Sequence, residues 1–265
     1  MTVKRRVIKC VFSSLSFRLE LRAEGRNLFL LLIKVFQSKS NESYFEVFMN
    51  SYKTQAIVLK KRIWRESDLL FSFYTKDFGK VEVLATGAQK IKSKLVPHLS
   101  SLGIVEIEFV IGKVFKKLTQ AYLVENLSNR SDENYYFTSL ILEIVDKAVQ
   151  EDYPQKEIWK LIIWAIGEIN KTDSLDKKKL IVNIFNLLLL QTLGYQIKFT
   201  ENLICREINM SLDSPAYELV LKIQKKESVV DLGLQKRSND RLFKFLHKYF
   251  QHVIERKLNS FDLIK

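Results

Sequence analysis

An α+β protein, with a small five-stranded β-barrel followed by an α-helical domain, is predicted by three observations. Short segments of apolar/polar alternation crowd residues 52–127. Gly79, Gly87, Gly103 and Gly112 punctuate them. After Leu127 the apolar spacing changes from period two to the three-and-four step of a helix. At 265 residues, 47% hydrophobic and 12% aromatic, the chain is long and apolar enough to bury a substantial core.

The strands come first. Leu69, Phe71 and Phe73 alternate with Ser72 and Tyr74, Val81 and Val83 flank Glu82, and Val105, Ile107 and Phe109 alternate with Glu106 and Glu108. Five strands are expected, at Lys53–Lys60, Asp68–Thr75, Lys80–Thr86, Leu102–Ile111 and Val114–Glu125. A longer connection, Gly87–Ser101, separates the third from the fourth. That asymmetry fits an OB-type barrel, and an SH3-like barrel would read similarly.

The helices follow. Ser131 is placed to cap a helix reaching about Gln150, with Asp132 and Glu133 where the dipole favours acids. Pro154 suits the first turn of a second, carrying Ile158, Trp159, Ile162, Trp164, Ile166 and Ile169. Ser174 caps a third, Leu175–Leu193, which ends at Gly194. Its run Ile184–Leu190 is apolar nearly all round, which assigns it to the centre of the helical domain. Phe199–Ser214 reads as irregular and Pro215–Lys225 as a short helix. Leu242, Phe245, Leu246, Tyr249, Phe250, Val253, Ile254 and Leu258 form the stripe of a last helix. The expected domains are an OB-fold over 49–128 and a helical domain over 129–265. Residues 1–48 have no clean period and read as an extension upstream of the natural start or a mobile tail, with Lys4, Arg5, Arg6 and Lys9 as a candidate basic arm.

The charge points to a polyanion. Forty-three Lys and Arg against 30 Asp and Glu leave +13, with a pI near 9.5. Charge alone does not choose between DNA, RNA and a membrane surface. Cys10 and Cys205 stand far apart with no C-x-x-C, which argues against a disulfide framework and is compatible with a reducing cytoplasm. Lys34 interrupts Leu28–Phe36, far short of the roughly 20 apolar residues that span a bilayer. Val7–Phe17 lacks the cleavage pattern of a secretory signal.

Catalytic patterns are not apparent. There is no phosphate-binding glycine loop, nucleophile elbow or HExxH. His247 and His252 are five apart and diverge on a helix, so they make no metal pair. Glu66, Asp68, Asp77 and Glu82 would serve a metal-dependent nuclease only if they converged; for Glu66 and Asp68, balancing Arg62 and Arg65, or capping a turn, is the simpler role. The chain is therefore expected not to be an enzyme and to need no cofactor.

Three cationic sets carry the binding expectation. Lys60, Lys61, Arg62 and Arg65 surround Trp64 between the first two strands. Lys90, Lys92 and Lys94 lie in the long connection, and Lys113, Lys116 and Lys117 lie at the turn into the fifth strand. Barrel closure would gather sets that are distant in sequence, and Lys and Arg neutralise phosphates whatever the base sequence. Trp64, Phe78 and Phe115 are candidates for stacking on unpaired bases, with core packing the simpler role for Phe78 and Phe115.

The ordered motifs resemble a known family. Tyr52–Leu59 reads Y-K-T-x-A-I-V-L, followed by Glu66-Ser67-Asp68, F-Y-T-K-x-F-G-K at Phe73–Lys80 and A-T-G-A at Ala85–Ala88. Leu193-Gly194-Tyr195 and the closing Leu258-Asn259-Ser260-Phe261 continue the series. Together they resemble RecO, the bacterial recombination mediators, over about Met49 to Lys265. The resemblance implies an OB-fold and a helical domain, binding and annealing of single- and double-stranded DNA, and assistance in loading RecA. The implied partners are RecR and the tail of single-stranded DNA-binding protein. Many relatives carry a four-cysteine zinc module after the Leu-Gly-Tyr region; here only Cys205 remains near 196–214, so packing is expected to replace the metal. An RNA-binding OB protein, a nuclease and a DNA-free adaptor are the rival readings.

Overall fold

The computed structural model describes residues 51–90, 93, 95–99, 102–127, 131–226 and 234–264. The expectations for residues 1–48, the basic arm included, lie outside them.

Five strands close into a barrel in the order β1-β2-β3-β5-β4: β1 Ser51–Ile63, β2 Leu69–Thr75, β3 Gly79–Ala85, β4 Gly103–Ile111 and β5 Lys116–Asn126. Neighbours are antiparallel except where β3 meets β5, in parallel, at Val83↔Lys116 and Leu84↔Lys117. This is the OB topology. A single turn of helix, α1 Val96–Leu99, sits in the long connection and contributes the buried Leu99 to the barrel's apolar cluster. The sequence reading had a plain loop there.

Alternation explains the barrel interior. Phe71 and Phe73 from β2, Val81 and Val83 from β3, and Val105, Ile107 and Phe109 from β4 are all buried in one cluster. The opposite face of β2 is not solvated, however. Tyr74 is fully buried and joins a second cluster with Ile57, Ile104 and the helices. Its hydroxyl donates to the Gln155 carbonyl at 2.9 Å. Burial pushes that phenol up to about 12.

The family motifs have local physical reasons. Thr54 Oγ1 donates to Asp77 at 2.6 Å, which ties β1 to the β2–β3 turn. Thr75 Oγ1 accepts from the Phe78 amide and donates to the Gly79 carbonyl, both at 2.9 Å. Gly79 has φ +69°, and a Cβ there would lie 2.5 Å from the Tyr153 carbonyl oxygen. Only glycine meets both demands.

The helical part comprises α2 Asp132–Ala148, α3 Lys156–Lys171, α4 Leu175–Thr192, α5 Ser214–Gln224 and α6 Lys236–Ile254. Ser131 and Ser174 cap α2 and α4 as read, by accepting from the Asn134 and Lys177 amides. Gly194, at φ +85°, lies just beyond the end of α4. The central helix α4 packs against α2, α3, α5 and α6, and buries Val182, Phe185, Leu189 and Leu190.

Three details differ from the sequence reading. Pro154 precedes the Gln155 N-cap of α3 instead of entering its first turn. Two short strands, β6 Ile204–Cys205 and β7 Met210–Ser211, form a hairpin within the stretch read as irregular. Finally, α6 ends at Ile254, where Glu255 turns left-handed at φ 55°. Leu258 is buried from the following segment, which closes in a 3-10 turn, Ser260–Leu263.

Candidate nucleic-acid interface

The cationic rim is built where β1 outruns the barrel. A bulge between Val58 and Lys60 inserts an extra residue, and from Lys60 to Ile63 the strand is exposed while still paired to β2. The following loop is pinned, not loose. Asp68 is buried, and its carboxylate accepts from the Gly87 amide at 2.7 Å. The Gln89 amide donates to the Ser67 carbonyl at 2.9 Å, and the Trp64 amide to the Asp68 carbonyl at 3.1 Å. The E-S-D and A-T-G-A motifs thus hold one another, and the first cationic loop is fixed against the start of the second.

That clip forms a groove of about 560 Å³. Lys61, Arg62 and Lys90 line it, with Ile63, Leu69 and Pro97 among its apolar walls. The third set arrives through aromatic packing. Trp64 meets Phe115 edge-on, centroids 4.9 Å apart, and Arg62 lies 5.9 Å above the indole. Lys113, Lys116 and Lys117 flank that contact in sequence, on the turn and the start of β5. Trp64 is 41% exposed and Val114 82%, so the tip is apolar as well as basic. Phe78 lies elsewhere, packed edge-on to Tyr52 and Phe109.

Not every cation in these sets is free. Arg62 pairs with Glu82 at 3.1 Å, and Lys116 with Asp152 at 2.8 Å. The sequence reading balanced Arg62 against Glu66 or Asp68; Glu82, diagonally across the sheet on β3, takes it instead. Lys60, Lys61, Arg65, Lys90, Lys113 and Lys117 meet no carboxylate among the described residues. Lys92 and Lys94 lie outside the described residues. Reading the sequence missed Glu82 and Asp152 as internal counter-charges, and no local signal pointed to them.

The four acids near the first hairpin disperse. Asp68 caps the loop, Asp77 holds Thr54, Glu82 holds Arg62, and Glu66 is exposed with no ion pair among the described residues. Among the described residues no three His, Cys, Asp or Glu cluster as metal ligands would. In the hairpin region Cys205 is fully buried and its thiol donates to Glu207 at 2.9 Å. Burial, then that carboxylate, pushes the thiol up to about 11, where it is a poor metal ligand or nucleophile at neutral pH. Ile197, Ile208 and Leu212 pack around this region as part of the helical core. Among the described residues no helix is long and apolar enough to cross a membrane.

Two family models match in order. Residues 49–127 match the recombination protein O N-terminal model, and residues 131–228 match its C-terminal model. The chain is similar to the DNA repair protein RecO of Listeria monocytogenes serotype 4b (strain CLIP80459), 28% identical over 163 residues, which are 61% of this chain and 63% of that protein. It is 30% identical over 149 residues to the DNA repair protein RecO of Acetivibrio thermocellus, covering 56% and 59%. For Clostridium novyi RecO the figures are 26% over 160 residues, 60% and 62%. The chain thus spans somewhat less than two thirds of the length of these curated relatives. With both models matched in order on a closed OB barrel and a helical bundle, the chain belongs to the RecO family.

Proposed function

We propose that this chain is a non-enzymatic mediator of DNA repair and recombination. It holds single- and double-stranded DNA on the rim of the barrel, anneals complementary strands, and helps to load RecA onto DNA coated with single-stranded DNA-binding protein. One observation carries this reading. Lys61, Arg62 and Lys90 share a single groove, and the Trp64–Phe115 contact brings the turn bearing Lys113 to the same end of the barrel. Such a surface binds phosphates through counterion release and offers unpaired bases an indole to stack on.

The division of labour follows residues 49–128 and 129–265. The barrel binds DNA, the helical domain docks the acidic, apolar-ended tail of single-stranded DNA-binding protein, and RecR is the further protein partner. Annealing needs no covalent step; it needs two strands whose phosphate repulsion is screened while their bases stay accessible. The work is cytoplasmic, on chromosomal gaps.

The test is annealing of complementary oligonucleotides at several salt concentrations. Log affinity for a single strand should fall linearly with log salt. A Lys61→Glu/Arg65→Glu/Lys90→Glu variant should lose about 0.7 of slope per lost phosphate contact, together with most of its annealing. An unchanged slope would remove the rim from the reading. Tighter binding to RNA than to DNA of the same sequence would turn it into an RNA-binding OB protein.

A further inference from the structure

Behind the rim, where β1, the middle of β2 and β3, and α2 meet, lies a hollow of about 180 Å³ whose lining residues are all charged except Ser72. Most of its charges are already matched. Asp146 pairs with Lys80 at 3.0 Å and accepts from Ser72 at 2.9 Å, and Glu82 pairs with Arg62. The side chain of Lys80 is nine-tenths buried, so this wall is built and not a chance meeting of surface groups.

Three charges are left over. Lys60 enters from β1, Arg256 from just past α6, and Glu151 from the connection that bridges β3 at Lys80. None of the three has a partner among the described residues. Two spare cations from distant parts of the chain thus face one small polar space with a single spare carboxylate. Their sum is +1. That balances an internal phosphodiester, which carries one negative charge, better than a terminal or free phosphate, which carries about −1.5 to −2.

The hollow also shares a wall with the rim groove. Arg62 lines both the rim groove and the hollow. Lys60, two residues earlier, lines the hollow and the neighbouring groove towards α2. A strand leaving the rim along the exposed end of β1 meets the hollow next.

We propose that this hollow is a second phosphate site, taking one phosphodiester of a nucleic-acid strand that runs from the rim onto the helical part, with Lys60 and Arg256 as its spare donors. It rests on the DNA-binding reading above and extends the contact surface beyond the barrel. Glu151 serves as the element that disfavours a doubly charged phosphate end.

Anisotropy titrations with single strands of about 6 and about 30 nucleotides test this, the shorter being within the site size of one OB fold. Arg256→Gln should weaken the long strand about 5-fold, lower its salt slope by about 0.7, and leave the short strand unchanged. Glu151→Gln should strengthen the long strand about 2-fold, which a merely structural role for Arg256 would not produce. If Arg256→Gln lowers the melting temperature, Lys60→Gln takes its place; as a residue of the rim it should weaken both strands, but the long one more, with the larger loss of salt slope. Unchanged affinity and slope for both variants, while Lys61→Glu/Arg65→Glu loses binding, would overturn the second site and leave the rim intact. Unchanged binding in the rim variant too would overturn the DNA reading itself. Inorganic phosphate that stabilises the wild type but not Arg256→Gln, with no dependence on strand length, would reassign the hollow to free phosphate.

Discussion

Replacing Asp146 by Ala tests how the barrel is fixed to the helices. Asp146 on α2 pairs with Lys80 on β3, and the two side chains are only 13% and 10% exposed. Removing one member of a buried pair strands the other, at about 3–5 kcal/mol. Two features place this pair at the low end. The Lys80 ammonium also donates to the main-chain carbonyl of residue 146, which survives the substitution, and the adjoining polar hollow admits water. About 3 kcal/mol is therefore expected, and Ser72 loses its acceptor as well. In a domain of this size each kcal/mol shifts the melting temperature by about 2–4 °C, so a fall of about 6–12 °C should appear by calorimetry. Urea unfolding should return the same free energy. The companion is Lys80→Met/Asp146→Leu, in which neither charge is stranded; it should recover most of the loss. A single substitution costing under about 1 kcal/mol, or a double variant as unstable as the sum of both singles, would refute the argument that this pair locks β3 to α2.

Further outcomes follow from individual contacts. Gly79→Ala should destabilise by about 2 kcal/mol or more in urea, since it adds a left-handed backbone penalty to a Cβ 2.5 Å from the Tyr153 carbonyl oxygen; a loss under about 0.5 kcal/mol would contradict that geometry. Trp64→Ala should cost single-stranded DNA about 1–3 kcal/mol and duplex DNA much less, because only unpaired bases present a free face; equal losses on both would remove the stacking role. Burial by itself would raise the Glu143 carboxyl, but Lys147 and the Asn259 and Ser260 amides outweigh it and hold the group below the usual carboxylate value of 4.5. A lowered folded-state value means that its stabilisation is complete above about pH 4.5 and is lost as pH falls through the folded value. Cleavage by pepsin near Phe261 should accelerate across that window, and Glu143→Gln should be cleaved readily already above it; a pH-independent cleavage ratio between the two would refute the clasp.

How far the sequence reached can be judged element by element. The five strands were legible because alternation reports apolar groups turned to a common interior, and Phe71, Phe73 and Val83 obey it. Ser131, Ser174 and Gly194 were legible because caps are local chemistry. Leu258 was misread as the last of a helical stripe, since Glu255 leaves the helix without any local breaker. The β6–β7 hairpin was missed because two-residue strands carry no period.

Fold class, the order of the elements, the excess of positive charge and family membership were thus determined by the sequence itself. Each depends on neighbours along the chain or on composition. Which cations are free was decided only by tertiary structure. Arg62 and Lys116 look no different in sequence from Lys61 and Lys117, yet Glu82 and Asp152 occupy the first two. Charge balance depends on distance in space, and pairing across strands and connections sets distances that no local pattern encodes. For the same reason Arg256, read only as part of the terminal helix, reaches the hollow beside Lys60.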